Sequence, residues 1–200
     1  MTIVLDRETE LTAKELFTEG HTAYRFTDQP VTQAELAEIY ELAKFSPTAL
    51  NSQPLRIVFL ASPEAKQRLL PLLSGNNAEK SASAPVVAVL AADTDFHEHL
   101  PRIAPQSIGG RERFAANPEG RASMAKRNAW LQAGAFILAV RAVGLDAGPM
   151  GGFDADGVDA EFFAGTSHRS FLVVNIGHAA ENGTFPRNPR LDFDEAASIL

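Results

Sequence analysis

A spacing constrains this fold more than any single residue does. Short apolar runs, each the length of one strand, lie far apart, and the stretches between them are long or helical in period. Arg56–Ala61 (RIVFLA), Pro85–Ala92 and Ser170–Gly177 (SFLVVNIG) read as buried strands. They are apolar throughout and bounded by turn residues, and they are too short for independent helices. A shorter apolar element after Gly144 brings the count to four. Strands separated in this way imply one mixed or parallel sheet covered by helices. The 200 residues form no repeat and no linker. A chain of this length buries roughly 70% of its unfolded surface, enough for one core. The expected architecture is a single domain of α+β or α/β class over residues 1–200, with a mixed or parallel β-sheet flanked by helices and a long central helix.

The helices announce themselves at their ends. Thr32-Gln33-Ala34-Glu35 is a capping box, and Leu36, Ile39, Tyr40 and Ala43 follow at helical spacing before Pro47 stops the run. Ser62 caps a short helix with Pro63 at its first position. Residues 9–19, with Leu11, Leu16 and Phe17 apolar, are expected to form a first helix, and residues 76–84 one or two helical turns. The longest helix is expected over 120–143. Its apolar stripe is read through Trp130, Leu131, Ala135, Leu138, Ala139 and Ala142, with Gly144 as the stop. Asp154 and Asp192 begin two further helices. Residues 93–118, with three prolines and Gly109-Gly110, show no firm period. An excursion of that kind in a compact domain is expected to be a lid or a binding segment.

Composition removes several classes of function. There is no cysteine, so disulfides, Cys-ligated metals, iron–sulfur clusters and thiol nucleophiles are excluded. With 18 basic and 25 acidic side chains the formal charge is −7, which argues against nucleic acid as a partner. No apolar run approaches the roughly 20 residues that span a bilayer. The first residues, MTIVLDRETE, lack the basic flank and apolar core of a signal peptide. A cytoplasmic protein without a membrane partner is expected. There is no G-x-x-x-x-G-K-[ST], no G-x-G-x-x-G opening a helix and no G-x-S-x-G elbow. His97-x-His99 is read as a solvated polar segment, and no metal site is expected.

Two segments carry chemistry. Ser46–Pro54 (SPTALNSQP) lies between a helix end and a strand start. It is either a loop that satisfies its own backbone or a hydrogen-bonding ledge for a flat heterocycle. Asp146–Phe153 (DAGPMGGF) is either a tight turn or a pair of exposed amides facing a planar group, since Gly151 and Gly152 carry no Cβ.

SPTALNSQP before a strand, followed later by RNAWLQAGAFILAVRAVGLDAGPMGGF, resembles the nitroreductase family of FMN-dependent oxidoreductases. GNNAEKSASAPVVAV, GPMGGFDADGVDAEFFAGT, a strand ending NIG and PRNPRLDFDEA are similar to its malonic semialdehyde reductase branch. The resemblance runs from about residue 15 to the end. It implies a nitroreductase-like fold and a homodimer with FMN at the subunit interface, each flavin touching both chains. It also implies ping-pong transfer, in which NADH or NADPH reduces flavin N5 and a small acceptor is then reduced. The acceptor classes are a 3-oxo acid such as malonic semialdehyde, a quinone or a nitroaromatic. No side chain is then a catalytic residue, because the cofactor carries the chemistry. A flavin-binding protein without turnover is the alternative.

The resemblance assigns residues to the flavin position by position. Asn51 and Gln53 fall where the loop meets the ring. Asn77 and Lys80 fall at its pyrimidine edge, where a cation stabilises the reduced form. Gly151 and Gly152 fall where a backbone N–H faces N5. Arg187 and Arg190 fall in the C-terminal phosphate stretch. The first phosphate motif departs from the family. Gly20 and His21 stand where an arginine is expected, Thr22 keeps the hydroxyl, and either His21 or Arg25 could replace the missing contact. In the 93–118 excursion Arg111, Arg113 and Phe114 are the candidates for an anionic acceptor, with Arg113 standing where the branch has an aromatic residue.

Overall fold

Residues 13–200 are described by a computed structural model of the chain. Its strands are β1 (Leu55–Leu60), β2 (Val86–Asp93), β3 (Asp146–Met150) and β4 (His168–Gly177). They form one sheet in the order β1-β2-β4-β3. The helices are α1 (Gln33–Ala43), α2 (Pro63–Leu69), α3 (Asn77–Ser83), α4 (Leu100–Ile103), α5 (Gly110–Ala115), α6 (Pro118–Ala142), α7 (Ala155–Phe162) and α8 (Phe193–Ala196). The α+β class and the long central helix are as expected. Leu11 and the start of the helix expected over 9–19 lie outside the described residues. The remainder is a single wide π-helical turn, Lys14–Glu19.

The strand directions correct the expectation of a mixed or parallel sheet, because every neighbouring pair of strands is antiparallel. The reason lies in where each connection begins and ends. Leu60 of β1 pairs with Val87 of β2, so residues 61–85 leave and re-enter the sheet at one end. The long α6 does perform a crossover and brings β3 in parallel to β2, but β4 is inserted between them and runs against both. Parallel pairing among the described residues is confined to an isolated bridge, Thr22 with Ala147. The fourth strand reaches further than the apolar residues after Gly144 suggest: the edge strand β3 takes in Asp146–Met150, and Gly151 and Gly152 follow it. Pro149 is tolerated there because an edge strand need not donate on its open side.

Three layers result. Val86, Ala88 and Leu90 of β2 point to Leu36 and Ile39 of α1 and to Phe136 and Val140 of α6. Val87, Val89 and Ala91 point the other way, to Leu69, Leu73, Val158 and Phe163. β2 is buried over its whole length, which is why it reads as an unbroken apolar run. Each fully buried Leu or Phe contributes roughly 1.5–3 kcal/mol. The capping box of α1 is present, with Thr32 N–H donating to Glu35 Oε2 at 2.7 Å and Glu35 N–H to Thr32 Oγ1 at 3.2 Å.

Helix α6 presents a different face from the one expected. Ala125, Asn128, Ala129, Gln132, Ala133 and Phe136 are buried, whereas Trp130 and Leu131 are 46% and 58% exposed. The segment after β2 is also more ordered than its period suggested. It folds as short turns and helices, with Phe96, Leu100 and Ala104 packed on Ala125 and Ala129. Turns this short carry no measurable period. His97 is buried rather than solvated, and its Nε2 lies 3.1 Å from Arg121 Nη1. Among the described residues no cluster of His, Asp and Glu could hold a metal. No helix there is long and apolar enough to cross a membrane.

Candidate functional site

β3 leaves the sheet at Met150 and delivers Gly151 and Gly152 to its rim. A Cβ on Gly152 would lie 2.9 Å from Asn77 Nδ2 and would push that amide aside. Asn77 Nδ2 donates to Gly152 O at 3.0 Å, and Ser74 N–H donates to the same carbonyl at 3.0 Å. One helical turn further along α3, Lys80 Nζ donates to Asn77 Oδ1 at 3.4 Å. The spacing of Asn77 and Lys80 thus places an amide and an ammonium side by side at the exit of β3.

Lys80 also lines a cleft of about 470 Å³, together with His21, Arg141, Arg187 and Arg190. No carboxylate lines this cleft among the described residues, although the chain as a whole carries a charge of −7. The C-terminal segment closes one wall. Tyr24 stacks on Phe185 with ring centroids 4.1 Å apart, and Tyr24 Oη donates to Asn182 O at 2.7 Å. Arg187 Nη2 donates to Thr18 O at 2.7 Å and Gly20 O at 2.9 Å. His21 Nδ1 lies 3.1 Å from Phe185 O. A carbonyl only accepts, so Nδ1 carries the proton. Arg25 does not line this cleft. It lies in an adjoining depression, 4.0 Å from Glu79.

The SPTALNSQP segment forms a second group, away from the first. Leu50, Asn51 and Gln53 have φ of 56°, 50° and 41°. Left-handed backbone at such residues costs roughly 1–3 kcal/mol each and persists only where the surroundings impose it. Here α6 imposes it. Asn128 Oδ1 accepts from Ala49 N–H at 2.7 Å, and Gln132 Oε1 accepts from Leu55 N–H at 2.9 Å. Asn51 Nδ2 donates to Ile103 O, and Gln53 Nε2 donates to Asn51 Oδ1. Gln53 lines its own cleft of about 500 Å³ with Lys44, Arg56, His99 and Arg102. Asn128 and Gln132 escaped the sequence reading. Their only signal is two amides four residues apart on a helix of small apolar residues.

The acceptor candidates are placed elsewhere. Arg111 Nε donates to Glu98 Oε2 at 2.7 Å. That contact holds the Glu98 carboxyl below its ordinary range and the Arg111 guanidinium above its own. Arg113 lies over the Phe114 ring at 5.0 Å, and Phe114 packs edge-on against buried Phe96. None of these three lines the clefts around Lys80, Gln53 or Gly151. The cations near Gly151 are instead Lys126 and Arg169, in a cleft of about 380 Å³ walled by Trp130 and Phe171.

Comparison with known proteins sets this geometry in a family. The model of the nitroreductase family matches residues 19–178. A protein of Leptothrix cholodnii is 52% identical over the full length of both chains, and one of Streptomyces coelicolor is 54% identical over 90% of each. Both carry the provisional name NADH dehydrogenase/NAD(P)H nitroreductase. A nitroreductase family protein from Streptococcus pneumoniae superposes with a TM-score of 0.78 at 27% identity, over 93% of this chain and 98% of its own. A structure from Exiguobacterium sibiricum, provisionally named a nitroreductase and solved in complex with FMN, superposes with a TM-score of 0.83 at 20% identity. It covers 96% of this chain and 99% of its own.

Proposed function

This chain belongs to the nitroreductase family, and from that premise we propose that it is an FMN-dependent NAD(P)H oxidoreductase acting on a small acceptor. The observation that carries the reading is the cationic cleft. In an acidic chain, Lys80, Arg141, Arg187 and Arg190 converge on one concavity free of carboxylates among the described residues, and a polar lane runs from it through Asn77 to Gly152. A phosphate needs the first feature and a flavin ring's polar edge the second. One detail of the cleft fits a bound anion: the buried Arg141 Nε has no acceptor among the described residues.

When bound, FMN supplies hydride transfer at N5. The protein's part is to bind and tune. The Lys80 ammonium would stabilise negative charge on the reduced cofactor, and Asn77, held on Gly152 O, would offer its amide to the ring's polar edge. The separation of Asn51 and Gln53 from Lys80 within one chain supports a homodimer in which each loop serves the partner's flavin. For the acceptor, the ordered match of motifs supports a 3-oxo acid such as malonic semialdehyde, with quinones and nitroaromatics as the other classes. Lys126 and Arg169 beside Gly151 suit an anion better than Arg111, which Glu98 neutralises.

Anaerobic titration of the purified protein with NADH and with NADPH tests the reading. The expected result is a yellow protein bleached by one or both, then reoxidised by members of an aldehyde, quinone and nitroaromatic panel. Lys80→Ala should slow bleaching by about 100–1,000-fold, the scale of one lost electrostatic stabiliser. A colourless protein that takes up no FMN would refute the proposal, and a yellow one that neither nucleotide reduces would reduce it to a flavin binder.

A further inference from the structure

We infer that Arg141 is the arginine that grips the anionic end of the ligand in the cationic cleft, and that Gly20 is the residue that admits it. The flavin reading enters only to identify that anion as a phosphate monoester. The resemblance expects an arginine at Gly20 or His21, and neither position has one. Gly20 is not required by its backbone, which is extended with φ −66°. It is required by space. A Cβ there would lie 2.6 Å from both Cζ and Nε of Arg141. The guanidinium, projecting from the last turn of α6, therefore lies directly on the Gly20 backbone.

Its hydrogen bonding is incomplete. Arg141 Nη1 donates to Leu16 O at 2.9 Å, which fixes the plane of the fork. Nε is buried and has no acceptor among the described residues. A buried donor on a cation is costly to leave unpaired, and among the described residues nothing fills this seat, so a bound anion is the acceptor it fits. The neighbouring cations are partly engaged by backbone carbonyls and, among the described residues, have no buried donor left unpaired. Arg187 spends Nη2 on Thr18 O and Gly20 O, and Arg190 spends Nη1 on Asn188 O and Pro189 O. His21 spends Nδ1 on Phe185 O at 3.1 Å. Arg25 lies beside Glu79. Arg141 thus restores from a helix 120 residues away the charge that the first phosphate motif lacks.

Comparing FMN with riboflavin isolates the phosphate. Arg141→Ala should weaken FMN by about 10–100-fold, the scale of charged hydrogen bonds, while riboflavin affinity stays within about threefold. Gly20→Ala should do the same more weakly. Its extended backbone accepts alanine, and the Cβ displaces only the flexible end of Arg141. Arg141→Lys should not restore FMN, because an ammonium has no fork. Adding His21→Arg to Arg141→Ala should restore it. An unchanged ratio of FMN to riboflavin affinity in both Arg141→Ala and Gly20→Ala would overturn the assignment. Should Arg141→Ala fail to fold, Gly20→Ala decides alone. If the wild type takes up neither flavin, the flavin reading falls separately. The assignment is then decided by inorganic phosphate, whose stabilisation of the wild type against heat must disappear in both variants.

Discussion

Asp93, at the end of β2, shows how one buried charge is made tolerable and what it secures. Its carboxylate accepts from Arg56 Nη2 at 2.5 Å, from Ser167 Oγ at 2.6 Å and from Asp95 N–H at 2.8 Å. Burial is the largest single influence and pushes its pKa up, but the Ser167 hydroxyl, the Arg56 charge, the Asp95 amide and the nearby His168 together hold it below the ordinary carboxylate range. A depressed folded pKa stabilises the protein above the unfolded value, and that stability disappears as pH falls through the folded value. Asp93→Asn should therefore cost about 2 kcal/mol at neutral pH. The gap from wild type should narrow as pH drops below about 4. Urea unfolding over a pH series measures this, and a gap that stays constant into acid would contradict it. The sequence offered no sign of this anchor. Its partners Arg56 and Ser167 lie 37 and 74 residues away.

Helix α6 organises the second half of the candidate site through Asn128 and Gln132. Asn128→Ala leaves the Ala49 N–H without its acceptor, and a loop with left-handed φ at Leu50, Asn51 and Gln53 then loses a restraint. The expected cost is about 1–3 kcal/mol in chemical denaturation. Faster amide exchange should be confined to residues 48–55, and exchange rates there equal to wild type would refute the brace. α1 and α6 differ in how well they could be read. The capping box of α1 is a local exchange of hydrogen bonds between residues three apart, so the sequence states it outright. α6 is apolar on two faces, and a helical period alone cannot say which face meets the sheet. Trp130 and Leu131, two large apolar residues of the expected stripe, lie on the outer face.

That outer face bears on the assembly of the whole molecule. Trp130 and Leu131 leave large apolar surface open on the longest helix, while Asn51 and Gln53 are held apart from Lys80 and Gly152. A second copy that covered α6 and brought its SPTALNSQP loop to the flavin, as proposed above, would answer both facts. Sedimentation of the wild type should give a dimer at micromolar concentration. Leu131→Asp should shift it toward monomer and weaken FMN binding in parallel, since a dry interface does not accept an unpaired charge. A monomer that binds FMN as tightly as the wild type would refute the shared site.

Strand identity, helix caps and the order of the family's motifs were legible in the chain because each depends on neighbours within a few residues. Strand direction, the buried face of α6 and the partner of each charged group were not. They depend on which distant segments the core brings together, as when β4 enters between β2 and β3. The clearest case is the phosphate motif. Read along the chain, Gly20 and His21 mark a missing arginine. In three dimensions the absent side chain at Gly20 is the space in which Arg141 lies.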